Sequence, residues 1–260
     1  MIDVHAHLND ERLIDNIPEI LENAKNVGVD TIICVGSSLS SSQRALQIAE
    51  KYENVFCAIG VHPDDAEKFD EETLNWLKAN ATHPKVVAIG EIGLDFHYKP
   101  FNKEKQLEVF EKQLLLASEI GLPVQIHTRD ATGLTLETLQ KNRHLLKNGG
   151  IIHCYSGSTE TLKEILKLGL SISLGGIVTF KNARETLEVA EVVPLDRLVL
   201  ETDCPYLAPH PHRGETNQPR FVTLVAEKIA IIKGISYDEV ATATTANAHK
   251  IFPKLSKFSV

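Results

Sequence analysis

Short apolar runs that suit β-strands alternate with longer segments whose apolar positions recur every three or four residues, and eight such units can be counted along the chain. The strands this pattern predicts are 2–8, 31–36, 55–62, 86–93, 123–128, 150–155, 171–177 and 198–203. Between them lie helices such as 102–120, in which Leu107, Phe110, Leu114, Leu115 and Ala117 make one apolar face. Continuous apolar runs such as Thr31-Ile32-Ile33-Cys34-Val35 suit parallel strands covered by helices on their outer faces. Eight repeats predict closure, so the expected fold is α/β: a single (β/α)8 TIM barrel, with 1–260 as one domain. A doubly wound open sheet is the alternative. It is disfavoured because no Gly-x-Gly-x-x-Gly follows the first strand and because polar residues fall at strand ends all round the chain. The proline-rich stretch 205–219 reads as a long loop over the barrel mouth, followed by helices over 219–233 and 237–251.

At 260 residues, 43% apolar and 24% charged, the chain can bury a large core and still fold as one barrel. No run of eighteen or more apolar residues occurs, and Met1 leads directly into Ile2-Asp3-Val4 without a basic leader, which predicts a cytoplasmic protein. Cys34, Cys57, Cys154 and Cys204 lie far apart and form no Cys-x-x-Cys pair, so reduced, mostly buried thiols are expected. The formal charge of −8 argues against a chain that grips nucleic acid by overall basicity, since that mode depends on many Lys and Arg contacts to phosphate. A phosphate-bearing substrate must then be attracted by local groups or metal ions. Trp76 and the phenylalanines show no alternation with basic residues, and stacking platforms of the single-strand-binding kind are not expected.

Metal-type ligands are scattered in the sequence yet share one structural position. His5 and His7 finish the first predicted strand, Glu91 the fourth, His127 the fifth, His153 the sixth and Asp203 the eighth. In a barrel the carboxyl ends of the strands form one rim, which is where barrel enzymes build their sites. His5 and His7, two apart, project to the same side of a strand, so one ion can bind both. An isolated His-x-His is more often chance or a pair of satisfied core histidines; the other four rim residues reverse that judgement. Glu91 places a carboxylate on the very apolar strand Val86-Val87-Ala88-Ile89-Gly90-Glu91-Ile92-Gly93, where an unpaired charge is costly. A bridging metal ligand accounts for it, and a salt bridge to a rim Lys or Arg is the alternative. Asp203 could cap the next helix, but closure of the barrel sets it beside the first strand.

Four histidines with two carboxylates suit two divalent ions, with zinc, manganese and magnesium all open. The expected division is His5, His7, Glu91 and Asp203 around one ion and Glu91, His127 and His153 around the other. Such a pair generates a nucleophile from water and stabilises charge on the attacking and leaving oxygens. Asp203 and Glu91 are the catalytic candidates, Asp203 as general base.

These residues lie in segments that resemble the TatD family of metal-dependent deoxyribonucleases along nearly the whole chain. Ile2-Asp3-Val4-His5-Ala6-His7-Leu8 is similar to the family's first signature and Pro123-Val124-Gln125-Ile126-His127-Thr128-Arg129 to its second. The segment 192–205, ending Leu200-Glu201-Thr202-Asp203-Cys204-Pro205, resembles the third. Gly60-Val61-His62-Pro63, Gly90-Glu91-Ile92-Gly93-Leu94-Asp95 and Thr179-Phe180-Lys181-Asn182-Ala183 also match. The resemblance implies a barrel with a divalent cofactor that hydrolyses DNA phosphodiester bonds, often from the 3′ end, with DNA as substrate and neither a membrane nor an obligatory protein partner. Two departures stand out. Gly133 occupies a place that is usually acidic, and Glu215 and Thr216 stand where the family carries two basic residues, which weakens or redirects the implied grip on a polynucleotide.

His62, Arg129, Lys181 and Arg213 are the substrate-binding candidates: the arginine fork suits phosphate, while a solvated surface charge is the ordinary role of each Lys and Arg. Glu201 shares a face with Asp203 and is expected to orient a ligand histidine from behind. Two rivals remain. An amidohydrolase acting on a small cyclic amide, ester or phosphoester lacks its expected lysine on the fourth strand, and a catalytically inactive binding protein is opposed by the complete ligand set.

Overall fold

The computed structural model describes residues 1–258; Ser259 and Val260, to which the expected domain extends, lie outside the described residues. One parallel sheet contains β1 (Ile2–Ala6), β2 (Thr31–Val35), β3 (Val55–Ile59), β4 (Val86–Asp95), β5 (Val124–Arg129), β6 (Gly150–Ile152), β7 (Ser171–Leu174) and β8 (Leu198–Leu200), paired in sequence order. A parallel bridge between Ala6 and Cys204 brings the last strand back to the first, so the sheet closes as a (β/α)8 barrel. The helices that wrap it are α1 (Ile17–Asn26), α2 (Leu39–Lys51), α3 (Glu71–Asn80), α4 (Lys103–Ile120), α5 (Thr132–Lys141), α6 (Thr159–Lys167), α7 (Arg184–Val192), α8 (Val222–Lys233) and α9 (Tyr237–Ile251). No described helix is long and apolar enough to cross a membrane.

Two buried apolar clusters divide the strand residues by face. Ile32, Cys34, Ile89, Ile92, Leu198 and Leu200 pack outward against the helices, whereas Ile2, Val4, Ile33, Val35, Phe56, Val87, Ile151 and Val199 fill the interior. Phe252 and Leu255, beyond α9, join the interior cluster. Strict alternation along β1 would put His5 and His7 opposite Ile2 and Val4. The register instead shifts between Asp3 and Ala6, which pair with Ile32 and Cys34, so three steps on β1 match two on β2. This extra residue turns Ala6 outward with Leu8 and leaves both imidazoles facing in.

The same device recurs in β4, where Ile89 and Ile92 pair with Val124 and Ile126. Two glycines allow it. A Cβ on Gly90 would lie 2.6 Å from the Gln125 Cβ, and one on Gly93, at φ +146°, would lie 2.0 Å from the His127 carbonyl oxygen. Closure is fastened by Asp3, whose buried carboxylate accepts from Thr202 N (3.0 Å) and Thr202 Oγ1 (2.6 Å). Burial pushes that carboxyl up to about 8 against the pull of these hydrogen bonds.

Several strands stop before the apolar pattern does: β3, β6, β7 and β8 each end three residues short of the sequence expectation. The chain leaves the ladder there, with Cys154 and Asp203 at φ 44° and 55°, and the residues beyond line the mouth. The helix expected over 219–233 opens as a 3-10 turn, Pro219–Phe221, before α8.

Candidate metal centre

A cleft of about 1070 Å³ opens at the carboxyl end of the barrel, with His7, His62, Glu91, His127, His153 and Asp203 in its wall. The six ligands expected from the sequence converge there, although they do not all end strands. His7 and His153 lie one residue past β1 and β6, and Asp203 three past β8; Glu91 and His127 lie inside β4 and β5.

Glu91 is central. Its Oε1 lies 2.7 Å from His153 Nε2 and 2.8 Å from His127 Nδ1, while its Oε2 lies 3.7 Å from both His5 Nε2 and His7 Nε2. One carboxylate thus faces two pairs of imidazoles with different oxygens. Asp203 completes the first group, with Oδ1 3.4 Å from His7 Nε2 and 3.8 Å from His5 Nε2. The His5 and His7 Nε2 atoms stand 3.3 Å apart. Ligand bonds of about 2.1 Å at tetrahedral angles place neighbouring donors roughly 3.4 Å apart, so this spacing fits a shared divalent ion. His5 Nε2 also groups with Glu91 and His153, its ring stacked on that of His153 at 3.9 Å.

Each imidazole has its other nitrogen turned away from the centre. Gln125, reaching across from β5 to β1, donates its Nε2–H to Val4 O (2.9 Å), which leaves its Oε1 to accept from His5 Nδ1–H (2.8 Å). His7 Nδ1–H donates to Val35 O (3.1 Å), and His127 Nε2–H to Asp95 Oδ2 (3.0 Å). His153 Nδ1 faces Glu201 Oε1 at 3.5 Å, and both atoms are otherwise without a partner, while Ser173 Oγ donates to Glu201 Oε2. An imidazole whose rear N–H meets an acceptor presents a bare nitrogen forward, the arrangement that metal-binding histidines adopt. The residues present therefore fit the group that this donor set implies. Glu201 stands where the sequence puts it. Gln125 and Asp95, by contrast, are supports to which the sequence reading gives no role.

Replacing Gln125 with Leu should weaken metal binding at the His5 group by about 10- to 100-fold, because His5 Nδ1–H loses its acceptor and the ring its orientation. Metal titration against a competing chelator reads this directly, and unchanged affinity would rule out the positioning role.

The electrostatics are those of a proton-filled ligand set. Burial opposes charge on His153, yet Glu91 and Glu201 raise it well above the ordinary imidazole range. His127 and His7 are also raised despite burial, by Asp95 and Glu91 in one case and by Asp203 in the other. Burial raises Glu91, but the charge on His153 and the hydrogen bonds from His127 and His153 outweigh it and hold the carboxyl well below its usual value. A raised imidazole keeps its proton to higher pH, and the ion needs the deprotonated form. Uptake of Mn²⁺ or Zn²⁺ should therefore release protons at pH 7, and affinity should fall as pH drops through the raised values. Calorimetry in two buffers of different ionisation enthalpy measures the release; none at pH 7 would contradict the proton-filled state.

His62 differs from the others. Burial and the neighbouring His127 push it down to about 3, so it is neutral throughout the working range. Its Nδ1 accepts from Asp64 N (3.1 Å), which places the proton on Nε2, 3.8 Å from Glu91 Oε1. His62, Asp95 and His127 also come together as a group. With His62 Nδ1 and His127 Nε2 already engaged, that group reads as support for the centre.

Of the other substrate candidates, Arg129 lines the cleft. Lys181 and Arg213 do not. The chain leaves β7 through the 3-10 turn Gly176–Thr179, after which Lys181 is exposed, and the Arg213 guanidinium is laid over the Phe180 ring at 3.7 Å.

A family model described as TatD related DNase matches residues 2–253. The chain is 45% identical over 252 residues to the uncharacterized metal-dependent hydrolase YabD of Bacillus subtilis, covering 97% of this chain and 98% of that one. It is 34% identical over 259 residues to the 3′-5′ ssDNA/RNA exonuclease TatD of Erwinia amylovora, covering 97% and 99% of the two. The crystal structure of YJJV, a TatD homolog from Escherichia coli K12, matches with a TM-score of 0.93 at 31% identity, over 97% and 98% of the two chains.

Proposed function

Since the chain belongs to the TatD-related DNase family of metal-dependent hydrolases, we propose that it cleaves DNA phosphodiester bonds, working from the 3′ end, with two divalent ions held by His5, His7, Glu91, His127, His153 and Asp203. The observation that carries this reading is the two-sided Glu91 carboxylate set between two pairs of imidazoles at the floor of an open cleft. A pair of divalent ions supplies a nucleophile from water at neutral pH and neutralises charge on the phosphate oxygens.

The protein's own groups divide the remaining work. Asp203 turns Oδ1 toward His5 and His7, leaving Oδ2 to take the proton from the attacking water. His62, neutral with its proton on Nε2, donates a hydrogen bond to a phosphate or leaving oxygen without adding charge. Arg129 on the wall offers a planar fork for a neighbouring phosphate. Gln125, Asp95 and Glu201 hold the imidazoles in place.

The test is direct. Metal-stripped protein is incubated with end-labelled single-stranded and duplex DNA, and magnesium, manganese or zinc is restored in turn. Metal-dependent shortening from the 3′ end supports the proposal. Hydrolysis of small esters or amides with intact DNA would overturn it in favour of the amidohydrolase class.

A further inference from the structure

On the proposed reading the floor of the cleft attacks a phosphodiester, but its walls offer a polyanion few cations that acidic neighbours do not offset. Arg12, Arg44 and Arg129 line it together with Asp10, Glu11, Asp64 and Asp65, and the chain as a whole carries −8. Arg12 is further neutralised by a bidentate pair with Asp10, Nε to Oδ1 at 2.9 Å and Nη2 to Oδ2 at 3.0 Å. Phosphate contacts alone are too few to hold a strand, since that mode scales with the number of phosphates neutralised. Some other part of the substrate must be recognised.

Two tyrosines provide for it. Among the described residues few large apolar side chains are exposed, and two of them, Tyr98 at 62% and Tyr206 at 46%, stand in the wall of this cleft. Tyr98 follows β4 and Tyr206 follows β8, strands four places apart in a closed eight-stranded barrel and so on opposite sides of its mouth. Each ring is backed by an arginine: Arg129 lies 5.0 Å from the Tyr98 centroid and Arg12 lies 4.4 Å from that of Tyr206. Tyr206 is fixed further by donating its hydroxyl to Asp10 Oδ2 (3.2 Å) and by edge contact with the His7 ring at 6.1 Å. An aromatic ring held rigid on one side and open on the other is a surface for stacking a planar base, and it loses little freedom when it binds one.

We propose that Tyr98 and Tyr206, each braced by its arginine, form a two-sided stacking clamp that holds unpaired nucleobases flanking the scissile phosphate. The proposal rests on the phosphodiesterase reading of the same centre. The clamp reads bases by their faces, so it tolerates any sequence and demands that the bases be unstacked from a duplex. It also places strand recognition in the barrel mouth, away from Glu215 and Thr216.

The experiment compares kcat/KM on a single-stranded oligonucleotide with that on the same strand carrying abasic residues at its two 3′-terminal positions. Wild type, Tyr98→Ala, Tyr206→Ala, Tyr98→Phe and Tyr206→Phe are measured on both, and on methyl p-nitrophenyl phosphate. Each alanine variant should lose roughly 5- to 100-fold of the preference for the intact strand, mostly through KM, while the phenylalanine variants keep it. The abasic strand serves as internal reference for any general loss of folding or metal. Preference retained in both alanine variants overturns the clamp and leaves the nuclease reading standing. Failure of the wild type on all three substrates overturns both.

Discussion

Asp203→Asn is expected, on the proposed reading of this residue as the base of a DNA phosphodiesterase, to bind metal yet turn over DNA on the order of 10²- to 10⁴-fold more slowly than the wild type. The backbone should not object, because Asp203 sits at φ 55°, a left-handed setting that Asn tolerates as well as Asp. The side-chain oxygen that faces His5 and His7 can be supplied by an amide, so the first ion keeps a ligand in that place. What the substitution removes is the ability to accept a proton. In the native protein burial acts to raise the carboxyl, but His7 outweighs it and holds the value below the usual range, so the acceptor is ionised at neutral pH. Metal content by elemental analysis and kcat on the same preparation separate the two effects. Wild-type turnover would assign the base elsewhere, and loss of metal together with turnover would make Asp203 a ligand first.

Much of the fold could be read from the sequence because each local signal agrees with the closed barrel. The last helix, expected over 237–251, runs Tyr237–Ile251, where Ser236 and Glu239 form a reciprocal capping box. Asn102 opens α4 by accepting from Lys105 N, and Gly121, at φ +79°, ends it. Strand ends are less legible, since an apolar run such as that past β7 continues into a turn that is still partly buried. The bulge in β1 leaves no local mark, and that in β4 only the two glycines within an apolar run. Both bulges are set by pairing with β2 and β5, and only afterwards do Gly90 and Gly93 make sense as the residues that let β4 approach its neighbour.

The candidate ligand positions stand out in the sequence for a related reason: a charged or imidazole side chain at the end of an apolar strand has few other uses. Their supports were harder to see. Gln125 is a polar residue two before His127 on the same buried strand, a signal of the same kind, but its partners His5 and Val4 are on the far side of the barrel. Asp95 follows Gly93 by two and shares its face, yet nothing local shows that it will meet His127. The tyrosines are least visible of all. The lack of alternation between basic residues and Trp or Phe says nothing about loop tyrosines, since Tyr98 pairs with Arg129 from the next strand and Tyr206 with Arg12 from the first βα loop. Lys181 and Arg213, on loops expected at the mouth, do not line the cleft: Lys181 is exposed beyond the turn after β7, and Arg213 lies over the Phe180 ring.

Glu91→Gln should cost more than any other single change, because the carboxylate uses both oxygens in two directions. An amide offers one oxygen, and its NH₂ must then confront either His127 and His153 or His5 and His7, whose forward nitrogens need to be bare to hold an ion. The lost negative charge also removes much of what raises His153, so the remaining imidazoles face one another with no anion between them. The variant is expected to retain at most one ion, with turnover reduced at least on the order of 10³-fold, the upper range for removal of one electrostatic partner. Stability of the stripped protein should fall as well. Glu91 is the anion against which the buried His127 and His153 hold their protons, and removing one partner of a buried pair leaves the other uncompensated. Glu91→Asp separates charge from reach: it keeps the anion but shortens it, so it should hold one ion more firmly than the amide while remaining slow. Metal per chain, kcat and the Tm of the stripped proteins make up the measurement. Two tightly bound ions and near-native turnover in Glu91→Gln would show instead that Glu91 is a buried ion-pair partner, and the bridging role would pass to another residue.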